Sequence, residues 1–240
     1  LIDHDKLLSA IDNARTAEEF QALVDIQKEY YKTSLFNFCK FVLGFSDVTK
    51  DTHGDILNSL QRHSKRKLIV MPRGCLKSTL ACVGYPIWLL INDPNHRILI
   101  DSELYTNSTT FIREIKAHLE SPKLTNLFGQ FKGPVWNSDE IIIQQRTRNY
   151  KEASIIAGGV GTTRVGQHHS VIIGDDYNSH NNTNSVENAE KVIDHYRRNI
   201  SILEPDGTYV IIGTRYHTMD VIAHILDNED HNCTFNYKGL

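Results

Sequence analysis

Six short runs rich in isoleucine and valine constrain this chain more than any other feature. They are "KLIVM" (67–71), "HRILI" (96–100), "EIIIQ" (140–144), "ASIIA" (153–157), "HSVIIG" (169–174) and "TYVIIGT" (208–214). Most are nearly continuous in apolar residues instead of alternating with polar ones, so each reads as a strand buried on both faces. Segments of helical length lie between them, near 77–91, 106–119 and 185–200. The last is expected to open on Asn184 and Glu187 in a capping-box arrangement, with Val186, Ala189, Val192, Ile193 and Tyr196 on one side. Alternation of buried strands with helices predicts an α/β architecture: a mostly parallel central sheet flanked by helices.

The first 45 residues carry no strand signal. Phe20, Leu23, Val24, Tyr31, Leu35, Phe38 and Val42 recur at steps of three and four, which gives one apolar helical stripe. A shorter helix is predicted near 54–61. The expected division is an N-terminal helical extension over 1–50 and an α/β domain over 51–240.

With 240 residues the chain can bury a full core. A formal net charge of −3 argues against coating nucleic acid over the whole surface and leaves room for a local basic path. The four cysteines form no C-x-x-C pair, so reduced thiols are expected and not a metal site or disulfide framework. The longest apolar stretch, 81–91, contains Pro86 and falls short of the ~20 residues of a membrane span. The charged first residues, with no apolar core followed by small residues, lead to the expectation of no secretory leader.

Chemistry enters at "VMPRGCLKSTLACVG" (70–84). Lys77, Ser78 and Thr79 stand where the phosphate-loop pattern G-x-x-x-x-G-K-[ST] has its lysine and hydroxyls, but Met71 and Leu76 replace the two glycines. A loop entering a helix N-terminus after a buried strand offers backbone N–H groups and a positive dipole end to an anion. Lys77 would reach the phosphates and the Ser78 hydroxyl would ligate Mg²⁺, while Gly74 relaxes the loop and Pro72 stiffens its entry. The other reading is an ordinary strand–loop–helix corner. "SVIIGDD" (170–176) favours the nucleotide: it is an apolar strand ending in two acids, the form of a Walker B motif. Asp175 would hold Mg²⁺ through a water ligand and Asp176 would orient the attacking water. "TYVIIGTRYHTMD" (208–220) is a third buried strand, ending in Thr214-Arg215.

Taken together, "PRGCLKST", "GTTRVGQHHSVIIGDD" and "GTRYHTMDVIAHIL" resemble the ATPase domain of the large terminase subunit of tailed bacteriophages, a motor that drives DNA into procapsids. The resemblance runs from about 53 to 226. It implies a P-loop NTPase fold of the ASCE/RecA-like kind, with ATP and Mg²⁺ as cofactors. Terminases also tolerate a deviant Walker A loop with P-R-G ahead of the lysine.

Carried over residue by residue, the resemblance makes Arg73, Gly74, Cys75, Leu76, Lys77, Ser78 and Thr79 the nucleotide-binding loop. Ser78 and Asp175 become the metal-holding pair, Asp176 the catalytic carboxylate (commonly Glu in the family), and Thr214 the coupling residue. Arg164, 11 residues before Asp175 in "GGVGTTRVG", becomes an arginine finger aimed at a neighbouring subunit's ATP; pairing with Glu140 or Glu152 is the alternative. His53 lies where the family places its adenine-contacting segment.

The implied partners are double-stranded DNA, the portal protein, the small terminase subunit and further copies of the chain in a ring, with no membrane, in the host cytoplasm. Basic clusters at 62–67, 146–151 and Arg197-Arg198 are candidate DNA loops, and each is also an ordinary solvated face. After the coupling strand there is no room for the family's nuclease domain, so ATP hydrolysis without DNA cleavage is expected. Two other functions remain open: a helicase-like motor and a slow nucleotide-dependent assembly switch.

Overall fold

The computed structural model describes residues 3–162, 166–179, 185–215, 220–228 and, for the backbone alone, 234–236. Among these residues an eight-stranded sheet runs in the order β3-β4-β5-β2-β6-β7-β1-β8. Its strands are β1 (Arg66–Val70), β2 (Ile98–Ser102), β3 (Lys132–Trp136), β4 (Glu140–Ile143), β5 (Ile155–Gly159), β6 (His169–Asp175), β7 (Leu203–Gly213) and β8 (Thr234–Asn236). Pairings from β5 through β8 are parallel, while β3–β4 and β4–β5 are antiparallel.

All six apolar runs fall on strands. β3 and β8 were not predicted. "KGPVW" carries a glycine and a proline and lies half-buried at the sheet edge, where proline is tolerated.

Side-chain alternation divides each central strand between two cores. Ile98, Ile100, Val171 and Ile173 face one cluster, and Leu99 and Ile172 face the other. The first face is covered by the N-terminal helices α2 (Ala17–Lys32), α3 (Leu35–Asn37) and α4 (Lys50–Gln61), together with α5 (Tyr85–Asn92), α6 (Tyr105–Leu119) and α7 (Pro122–Phe128), while α1 (His4–Asp12) packs on α2. The second is covered by α8 (Val186–Ser201) and α9 (Val221–Asn228).

Two helical expectations are corrected. The cap of α8 is Ser185, whose side chain accepts from the Asn188 N–H. Its buried face is Ala189, Val192, His195, Tyr196 and Asn199, and Val186 is exposed. In the N-terminal stripe Tyr31, Leu35, Phe38 and Val42 are buried but Phe20, in the first turn of α2, is exposed, and the stripe is interrupted at Thr33-Ser34 between α2 and α3.

Between the phosphate loop and α5, residues Thr79–Gly84 form a π-helical turn. Pro86 supplies the cause. It has no N–H to donate, and its ring crowds the carbonyl of Cys82 four residues back, so the helix widens ahead of it. The Tyr85 N–H accordingly reaches Leu80 O, five residues back. No described helix is long and apolar enough to cross a membrane.

Candidate nucleotide site

The loop after β1 climbs over the carboxyl ends of the strands. In parallel sheets these ends collect ligands, because the helix N-termini and loops converge there. Gly74 has φ 83°, the left-handed conformation for which glycine is suited. Leu76, where the phosphate-loop pattern has glycine, also takes a positive φ of 51°. The backbone therefore keeps the shape of a glycine position while the leucine side chain turns inward and packs on the first core cluster beside Cys75. Arg73 is exposed on the crown of the loop, and Thr79 is half-buried where the π turn begins.

Lys77 and Ser78 open the helix and face the end of β6. The Lys77 Nζ lies 3.4 Å from Asp176 Oδ2, and its residue is only 6% exposed. Ser78 Oγ donates to Asp175 Oδ1 at 2.7 Å. β7 lies between β1 and β6, which places Thr214 midway between the loop and the acids. Its N–H donates to Asp176 Oδ1 (3.1 Å) and its hydroxyl donates to the carbonyl of Met71 (3.1 Å). Thus Lys77, Ser78, Asp175, Asp176 and Thr214 meet in one place. Arg164 lies outside the described residues.

Burial pushes the Asp175 carboxyl up to about 6; the nearby Asp176 charge adds to the rise, and the Ser78 hydrogen bond and Lys77 oppose it. A desolvated acid of this kind favours a cation beside it. The donor set of one hydroxyl, one carboxylate and a neighbouring ammonium suits Mg²⁺ bound largely through phosphate and water oxygens. Among the described residues no group of three or more His, Cys, Asp or Glu could hold a metal unaided. Ser78 and Asp175 would hold the ion and Lys77 the phosphates.

Other expected residues take structural roles. His53 is buried on α4, and its Nδ1 accepts the Thr49 N–H at 3.1 Å. In the basic clusters, Lys67 is buried and donates to Leu60 O, and burial lowers its pKa to about 8. Arg197 pairs with Asp194 on its own helix. Arg146 and Arg97 both lie over the Tyr150 ring, and Glu152, weighed as a partner for Arg164, pairs with Arg97 and accepts the His168 N–H.

Sequence reasoning missed a buried polar cluster directly behind the acids. Asp101 at the end of β2 meets Tyr177, His195 and Asn199 there. The available signal was an acid closing the apolar run "HRILID", the same form as "SVIIGD".

No family model matches the chain, and no curated protein matches it. Several solved structures share its architecture. The large terminase of bacteriophage HK97 superposes with a TM-score of 0.56 at 10% identity, over 85% of this chain and 43% of that one. A variant of S. cerevisiae Dbp5, bound to Nup159, a Gle1 variant, IP6 and ADP, superposes with a TM-score of 0.51 at 10% identity, over 84% of this chain and 51% of that one. The chain thus spans about half the length of either neighbour. The shared architecture is a mostly parallel sheet flanked by helices, and in this chain β7 lies between the strand before the loop and the strand that ends in the acids.

Proposed function

We propose that this chain binds ATP with Mg²⁺ and hydrolyses it as the engine of a nucleic-acid motor, and that the motor is a DNA-packaging terminase. The convergence of Lys77, Ser78, Asp175, Asp176 and Thr214 carries the reading. Lys77 holds the phosphate tail; Ser78 and Asp175 hold the metal, which supplies charge neutralisation at the transferring phosphoryl group. Asp176, oriented by Lys77 and the Thr214 N–H, positions the attacking water. Thr214, tied to both Asp176 and the Met71 carbonyl, links the acid to the loop. Arg164 is proposed as the finger supplied to a neighbouring copy.

The terminase reading rests on the three sequence motifs and is supported by the likeness to the HK97 protein. Double-stranded DNA, the portal protein, the small subunit and a homo-oligomeric ring come with it. The likeness to Dbp5 keeps a helicase-like motor as the second reading.

Steady-state ATP hydrolysis measured with and without double-stranded DNA tests the proposal. Mg²⁺-dependent turnover stimulated by DNA is expected. Lys77→Ala should remove it together with nucleotide affinity. Asp176→Asn should lower kcat by about 10²–10⁴-fold with binding retained, and Arg164→Ala should lose turnover in the assembled ring and keep binding. Duplex unwinding would favour the helicase reading. Turnover insensitive to DNA would favour a switch, and failure to bind ATP would end the nucleotide reading.

A further inference from the structure

The end of β6 sends its two functional sides in opposite directions. Asp175 continues the face that carries Val171 and Ile173, toward the phosphate-loop helix, and Gly174 lies on the other face. The chain then reverses at Asp176, whose φ is 40°. The reversal folds Tyr177 back over Gly174 so closely that a Cβ there would stand 2.5 Å from the phenol ring.

Beneath the ring sits Asp101, paired in register with Gly174 on one side and Gly158 on the other. A Cβ on Gly158 would lie 2.7 Å from Asp101 Oδ1. Two neighbouring strands therefore omit side chains at one level, and the space holds a carboxylate and a phenol.

Asp101 is 1% exposed, and its Oδ2 collects three partners. These are His195 Nε2 at 2.6 Å, Asn199 Nδ2 at 2.6 Å and the Tyr177 hydroxyl at 2.9 Å. Tyr177 and Tyr209 hydroxyls lie 3.0 Å apart, and Asn199 also reaches both. Among the described residues Asp101 Oδ1 is buried with no hydrogen-bond partner. Stability alone does not account for such a group, since apolar residues of similar volume commonly serve a core as well or better. What the cluster does fix is Tyr177, one peptide bond beyond Asp176, to two consecutive turns of α8.

We propose that the Asp101–His195–Asn199–Tyr177 cluster is a positioning device for Asp176: it holds the reversal that aims this carboxylate at Lys77 and Thr214, and it ties the carboxylate to α8. The inference rests on the ATPase reading. Its members act through Asp176 and touch no substrate, so cutting the cluster disturbs the chemical step and spares nucleotide binding.

The test compares wild type with Tyr177→Phe and Asp101→Asn, both of which keep side-chain volume. A Val192→Ala variant, on α8 in the same apolar cluster but outside the hydrogen bonds, controls for lost packing. Hydrolysis kinetics and affinity for a fluorescent ATP analogue are measured well below each variant's Tm. Loss of kcat by about 10–100-fold is expected for the two cluster variants, with KM and analogue affinity within twofold of wild type, and an unchanged kcat for Val192→Ala. Wild-type kcat in Tyr177→Phe and Asp101→Asn overturns the positioning role and leaves the ATPase reading intact. Equal kcat losses in all three variants reduce the cluster to a structural part and overturn the role as well. A wild-type chain that neither binds nor hydrolyses ATP overturns both readings together.

Discussion

Among the described residues only Leu76 and Asp176 take a positive φ without being glycine, and they stand on the two sides of the candidate site. Left-handed backbone costs an L-residue about 1–2 kcal/mol, and β-branched residues resist it most. Leu76 offsets that strain by burying its side chain against the first core cluster. Leu76→Gly therefore removes strain and packing together, and its stability should stay within about 1 kcal/mol of wild type, with ATP-analogue affinity retained. Leu76→Val keeps the strain, adds a β-branch and shortens the packing group; a loss of about 1–3 kcal/mol in urea unfolding is expected. Equal stability of the valine variant would show that the loop does not depend on this conformation. The lysine and hydroxyl of the loop were legible in the letters alone. The positive φ of Leu76 was not, because the residue type argues against the backbone it adopts.

At the scale of the element, β6 shows how strand alternation sets an acid's environment. Asp175 is the last residue of a strand buried everywhere but at Ser170, and the alternation sets it against the phosphate-loop helix instead of solvent. Its folded pKa of about 6 lies above the ordinary carboxylate value. The folded state thus binds the proton more tightly than the unfolded chain, so this group's contribution is fully present below the unfolded value and is lost as pH rises through about 6. In metal- and nucleotide-free protein Asp175→Asn should therefore be the more stable variant at pH 7.5, by about 2–3 kcal/mol. The gap should close as pH falls toward 4. Thermal or urea unfolding in EDTA at a series of pH values reads this directly, and a mutant less stable than wild type at pH 7.5 would contradict the desolvation argument.

The same strand marks the limit of sequence reading. Its apolar run announced a buried strand and its terminal acids marked a candidate site, because both signals are local. The fold-back of Tyr177 joins it to Asp101, 76 positions away, and to Asn199, 22 positions away. It became visible only with the strand order that makes β2 and β6 neighbours.

The whole molecule does not divide as its sequence texture does. Residues before β1 lack strand signals and read as a helical extension ending near residue 50, yet Tyr31, Leu35, Phe38, Cys39, Val42, Leu43 and Val48 are buried in the same cluster as Ile69 of β1 and Leu80, Val83 and Ile87 of the helix after the phosphate loop. Close approach reinforces the union: a Cβ on Gly84, in the π turn, would meet Cys39 Sγ at 2.7 Å. Burying a large apolar side chain contributes about 1.5–3 kcal/mol, so the set together is comparable with the ~5–15 kcal/mol that holds a whole domain folded. A chain of residues 51–240 should therefore lose cooperative thermal unfolding and bind a hydrophobic dye. Removing residues 1–13 alone takes, among the described residues, only Leu7 from the buried set, and it should leave a cooperative transition with Tm lowered by several degrees. If residues 51–240 instead unfolded cooperatively near the wild-type Tm, the helices would be an appendage. As packed, they form one wall of the helix that opens at Lys77, with Cys39 set against Gly84.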